Sequence, residues 1–216
     1  MKRSDILDRL SVYKGGGVST DESVPSYQYY LSRLHSMREF ALREEFRRDG
    51  VINPANYQNH WLEYDEELNQ DDCRFYLFRC PRILQLTNRD SGFGYVGSED
   101  GISQYNLFTS PERFAVAQGH RFTKLGNKIS AAYDWEEEMM KLNQPVKRGL
   151  VRAVFLRPED VPTFNVDIDD YPFSAKGLEI LEEAISKGTI NYILRVPQDK
   201  VSNSNADADL LKTPNR

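Results

Sequence analysis

Apolar side chains return at threes and fours along residues 23–49: Tyr27, Tyr30, Leu31, Leu34, Met37 and Ala41, with Phe40 and Phe46 beside them. Arg and Glu fill the positions between, and Asp49-Gly50 closes the run. That period predicts an amphipathic helix, about 35–40 Å long at 1.5 Å per residue. Pro54 reads as the opening of a second helix through His60, Trp61, Leu62, Tyr64 and Leu68, which would complete a helical hairpin over residues 23–70. Ahead of the hairpin, Ser4 is placed to cap a short helix over residues 5–13, with Ile6, Leu7 and Leu10 on one side. Gly15-Gly16-Gly17 ends it and acts as a joint, so this helix is expected to be able to dock away from its own domain.

After Asp71-Asp72 the period shortens to two. Residues 75–78, 83–86 and 93–96 read as successive strands, broken at Pro81 and at residues 88–92. A short helix is expected from Ser110-Pro111-Glu112 to Gly119. Residues 120–123 and 128–133 are further strand candidates around a Gly126-Asn127 turn, and the acidic stretch 134–142 reads as loop or helical turn. The most apolar run, residues 150–156 within KRGLVRAVFLRPEDVP, predicts a central strand buried on both faces, ended by Arg157-Pro158 and paired with residues 75–97. Residues 163–172 form a polar linker. Ser174 then caps a last helix with Leu178, Leu181, Ala184 and Ile185 as its buried stripe and Gly188 as its stop. Residues 191–194 add one short apolar piece. Beyond Pro197 the composition cannot fold alone, so an ordered tail would need another chain to hold it.

The expected class is therefore α+β: an N-terminal helical hairpin, a central, mainly antiparallel β region, and a C-terminal helix with an extended tail. The segments run 1–22, 23–70, 71–162, 163–196 and 197–216. At 216 residues the chain can bury a substantial core. Its mean hydropathy of −0.63 is low for a compact monomer, pointing to long solvated helices or to apolar surface supplied by neighbouring subunits. The aromatics Tyr27, Tyr29, Tyr30, Phe40, Trp61 and Tyr64 read as core, with a subunit contact as the alternative. A net charge of −5 disfavours a tight nonspecific grip on nucleic-acid phosphates. No secretory signal is legible at the start, and no apolar run approaches the ~18 residues of a membrane span. Cys73 and Cys80 read as unpaired thiols of a cytosol-like compartment.

Chemistry-bearing patterns are sparse. Gly92-Phe93-Gly94-Tyr95-Val96-Gly97 matches GxGxxG, but Ser98-Glu99-Asp100-Gly101 follows where a phosphate site needs a helix N-terminus. A glycine hairpin using positive φ is the expectation there. His35, His60 and His120 lie far apart without metal-ligand spacing. Asp167, Asp169 and Asp170 offer oxygen ligands but lack the glycine and distal glutamate of a calcium loop. No catalytic, cofactor-binding or metal residue is assigned, and no cofactor.

Residues 91–101, SGFGYVGSEDG, and residues 147–162 together resemble structural proteins of short-tailed bacteriophages, most closely the neck ring and head-to-tail connector proteins of crAss-like phages of gut Bacteroidales. Tyr171-Pro172, the helix after Ser174 and Pro197-Gln198-Asp199 extend the resemblance to residue 205, while residues 136–140 depart from it where the family pattern has an aromatic hairpin. The resemblance implies a non-enzymatic virion subunit forming a homo-oligomeric ring of twelve copies. That ring would sit below the portal among other neck and tail rings and surround genomic DNA in its lumen without sequence-specific binding or membrane contact. It also implies a place in the virion neck or tail, reached after assembly in the host cytoplasm. Two other classes stay open: a soluble scaffold or adaptor, and a divalent-metal enzyme using Asp167, Asp169 and Asp170.

Overall fold

The computed structural model describes residues 1–15, 27–69, 75–87, 91–119, 128–190 and 193. The helices are α1 (Arg3–Gly15), α2 (Tyr27–Asp49), α3 (Pro111–Gly119) and α4 (Ala175–Ser186). The strands are β1 (Gln58–Glu63), β2 (Tyr76–Arg79), β3 (Phe93–Ser98), β4 (Asn106–Phe108), β5 (Ser130–Asp134), β6 (Met139–Leu142) and β7 (Arg148–Ala153). The class is α+β, as expected. Cys73, His120, the Gly16-Gly17 joint, the Gly126-Asn127 turn, most of the 191–194 piece and the tail from residue 197 lie outside the described residues.

Helices α1, α2 and α4 build one core. The α2 stripe Tyr30, Leu34, Met37 and Ala41 meets Ile6, Leu7 and Leu10 of α1 and Leu178, Leu181 and Ile185 of α4, all buried. So α1 docks on its own chain. It also begins earlier than expected: Ser4 lies inside the helix, and the Asp5 carboxylate accepts from the Lys2 N–H at 3.1 Å instead. The α4 cap is as expected, with Ser174 Oγ accepting from the Gly177 N–H at 3.0 Å.

The β region is two sheets, ordered β1-β7-β3 and β2-β6-β5-β4. All pairings are antiparallel except β4 with β5, between which α3 lies in the chain, as parallel neighbours require. Leu62, Val96, Val151 and Ala153 of the first sheet face Phe78, Ala131, Tyr133, Met140 and Leu142 of the second, forming the sandwich core.

Several expectations need correction. Residues 54–68 are not a helix: Pro54 opens only the 3-10 turn Pro54–Asn56, and β1 follows, paired along its whole length with β7. Its burial alternates, with His60 and Leu62 inside and Asn59 and Glu63 outside, which is a strand period. Residues 134–142 are not a loop alone. The Asp134 carboxylate accepts from the Glu136 and Glu137 N–H groups at 2.9 and 3.2 Å, reversing the chain, and Glu138 takes φ 55° before β6 begins. Lys141 then pairs with Asp134 at 2.8 Å and Glu137 at 2.9 Å across the hairpin. Residues 83–86 make isolated bridges, Ile83 to Phe155 and Gln85 to Ser91, rather than a strand. Finally, β7 is central but not doubly buried throughout: Arg152 is exposed, and only residues 153–155 are consecutively inside.

A second stripe of α2 joins the helices to the sandwich. Arg38, 1% exposed, donates through Nη1 to the Phe155 carbonyl at 2.7 Å and through Nε to the Pro172 carbonyl at 3.0 Å. Two turns on, Glu45 accepts from Asn56 Nδ2 at 3.1 Å and from Ser174 Oγ at 3.2 Å. Between them Leu42 packs with Ile52, Leu84, Leu86 and Val154. Replacing Arg38 by Ala strands two buried carbonyls and opens a void, which should cost about 2–4 kcal/mol. Arg38→Lys should recover only part of that, because an ammonium cannot span both acceptors as the planar fork does. Urea unfolding midpoints of the two variants against the parent chain check this.

Candidate interaction surface

The segments around β3 and β7, some fifty residues apart in the chain, lie side by side, with Val96 opposite Val151 and Gly97 opposite Leu150. The glycines of the GxGxxG stretch serve close approach rather than positive φ, correcting the expectation. Positive φ among the described glycines occurs at Gly50, Gly101 and Gly188. A Cβ at Gly92 would lie 3.0 Å from the Leu84 carbonyl, and one at Gly94 3.0 Å from the Tyr57 ring. A Cβ at Gly97 would fall on both Tyr95 Oη and the Ser103 carbonyl, which are themselves hydrogen-bonded at 3.1 Å. Beyond β3 the turn closes through Asp100, whose carboxylate accepts from the Ile102 N–H at 2.9 Å, with Gly101 at φ 74°. Two hydrogen bonds, from Ser98 Oγ and the Ile102 amide, hold the Asp100 carboxyl below its usual range. These glycines cradle protein atoms, so no phosphate cradle forms here.

At the other end of that turn a charged cluster appears that the sequence reading missed. Arg148, first residue of β7, stands opposite Glu63 of β1. Its guanidinium lies 4.5 Å over the Trp61 ring and reaches Glu99 at 2.8 Å and Glu63 at 3.4 Å. A pocket of about 550 Å³ opens here, between Trp61, Tyr64, Glu66, Arg79 and Arg148. A neighbouring hollow of about 720 Å³ shares Glu63, Tyr64, Glu66 and Arg148, so the two form one open groove. Tyr64 remains 37% exposed on its wall. No local pattern announced it, because residues 58–63 alternate in burial but not in apolar character, and only pairing with β7 reveals the strand. The groove offers aromatic faces and carboxylates to a cationic, partly apolar partner surface.

The other candidate residues are separated. His60 Nε2 donates to the Arg79 carbonyl at 3.1 Å, and its ring meets Phe155 edge-on at 6.0 Å. His35 lies on α2, with Nε2 3.8 Å from Glu159. Asp169 accepts from the Asn165 N–H at 2.7 Å, whereas Asp170 faces the Met1 α-amino group at 2.9 Å. Among the described residues no three His, Cys, Asp or Glu side chains are grouped to hold a metal ion. Cys80 is a buried free thiol, and burial pushes its pKa up. No helix among the described residues is long and apolar enough to cross a membrane. The chain matches no protein-family model and no curated protein.

Gly97→Ala should destabilise the chain by about 1–3 kcal/mol, because the added methyl must displace a backbone carbonyl as well as the Tyr95 hydroxyl. Thermal melts of this variant beside Val116→Ala, an exposed position, check it. A second prediction concerns acid. Burial lowers the pKa of His60 against the raising effects of the Arg79 carbonyl and Glu63; burial also lowers that of His35, opposed by Glu159 and helped by Arg157. The unfolded chain takes up protons near the ordinary imidazole value of 6.5 while the folded one resists, so stability is full above that value and falls as pH drops below it. His60→Gln should flatten this slope between pH 6.5 and the onset of glutamate protonation near 4.5, read from urea midpoints across that window.

Proposed function

We propose that this chain is a non-enzymatic structural subunit of a short-tailed bacteriophage particle. It forms a head-to-tail connector ring in the neck, around the DNA exit channel below the portal. One observation supports the reading above others: the two segments that carry the resemblance to crAss-like phage connector proteins are adjacent strands of one sheet. The turn after one of them is tied to the first residue of the other through Glu99 and Arg148. Motifs that touch belong to one packed unit, as they must if the resemblance is to a shared fold element.

The charge balance is compatible with that role. A net charge of −5 spread over a subunit wall repels phosphate and lets DNA slide past without sequence-specific contact. A closed ring of identical subunits needs two different complementary patches on each copy. Copies would meet other rings and the portal through further surfaces, in the virion neck or tail after assembly in the host cytoplasm.

The test is physical size and shape. Sedimentation velocity and negative-stain imaging of the purified chain should show a closed ring with an axial hole, with twelve copies as the expected count. A monomer or dimer at all concentrations overturns the reading and favours an adaptor.

A further inference from the structure

Two surfaces of the chain differ in charge and lie apart. The groove at the end of β1 carries Glu63, Asp65, Glu66 and Glu99 against three cations, with Trp61 and Tyr64 as its apolar wall. The outer face of α2, with the adjoining edge of α4, carries Arg33, Arg43, Arg47, Arg48 and Lys187 against three carboxylates, around a half-buried Phe40. A chain of net charge −5 thus carries a locally cationic face here. The start of β1 is anchored beside the helices, where Asn56 binds Glu45 and Gln58 Nε2 donates to the Pro158 carbonyl at 3.4 Å. Its far end reaches the groove after six residues, or roughly 20 Å of strand.

We propose that the groove of one copy receives the cationic outer face of α2 from a second copy, in the head-to-tail contact that builds the ring. The inference rests on the connector reading and names its subunit interface. Different patches pair at such a contact, so repeating it can close a ring rather than stop at a dimer. Of these cations, Arg43 and Arg47 are exposed, and Arg48 and Lys187 are paired with Glu183. Arg43 pairs with Glu39 at 2.7 Å and Arg47 with Glu44 at 2.8 Å, both solvent-facing pairs within one helix. Such pairs are weak and exchange partners readily. In the groove, Glu63 and Glu99 are mostly exposed and both pair with Arg148, leaving acceptor oxygens for incoming guanidinium groups. Phe40 would then lie against the Trp61 and Tyr64 wall, a small apolar centre inside a charged rim.

Charge reversal tests the pairing on the full chain. Glu63→Arg with Glu66→Arg inverts the groove, and Arg43→Glu with Arg47→Glu inverts the helix face. Circular dichroism confirms that each is folded. By sedimentation velocity and native mass spectrometry, the parent chain should assemble and come apart as salt is raised. Each double variant alone should dissociate at least tenfold more readily, and an equimolar mixture should reassemble, because each inverted face then meets its inverted complement. Two folded variants that assemble like the parent overturn this contact while leaving the connector reading standing. Variants that stay apart when mixed overturn it equally. A parent chain that remains monomeric at every concentration overturns both.

Discussion

Two ionisable side chains on one face of α2 hold the helices to the sandwich, and the rest of the architecture depends on them. Arg38 and Glu45 are seven residues apart, close to two turns, so both point away from the apolar stripe and toward the strands. Arg38 supplies donors to two carbonyls that close no ladder, Phe155 beyond β7 and Pro172 before α4. Glu45 gathers the Asn56 amide, the Asn53 N–H and the Ser174 hydroxyl, and Ser174 in turn caps α4. Burying an arginine and a glutamate is expensive, and hydrogen bonds at both Glu45 oxygens and at Nε and Nη1 of Arg38 offset much of the water they lost. Nη2 of Arg38 makes no hydrogen bond among the described residues. Arg38 also lies beside the Tyr171 ring, at 6.0 Å, in the wall of the helical core. The result is directional joining: apolar contact alone would let the helical layer slide over the sheet edge, whereas paired polar groups fix one position.

β7 transmits that position through the first sheet. It pairs with β1 on one side and β3 on the other, and it runs from the groove at Arg148 to the clamp just beyond Ala153. Small residues along β3 let the surrounding backbone come in close: Gly92 under the Leu84 carbonyl, Gly94 under Tyr57, Gly97 under Tyr95 and Ser103. The same glycines that look like a phosphate fingerprint in a linear reading are packing positions in the sheet. The proposed connector role draws on this layout, which sets a rigid strand axis between an acidic groove and a cationic helix face.

Much was legible from the chain order alone. The three-to-four spacing of α2 and α4, the Ser174 cap, the Ser110-Pro111 helix start and the apolar run of β7 all rest on neighbours within a few residues, and local periodicity reports them directly. What escaped were features whose cause lies far away in sequence. Residues 58–63 set Trp61 beside Leu62 and show no apolar alternation, and Pro54 and the aromatics around Trp61 mimic a helix start. Pairing with residues 148–153 settles the matter by supplying the backbone partners that an isolated segment lacks. β6 hides behind three glutamates because those carboxylates form a solvent-facing hairpin tip, while Met140 and Leu142 reach the core. Arg38 and Glu45 looked like part of a solvated helix face, and the Trp61–Arg148–Glu99 cluster was spread over three distant segments. Local spacing can specify which way a segment coils, but a buried charge or a cross-strand contact becomes visible only when the chain has folded back on itself and brought its partner within hydrogen-bonding reach.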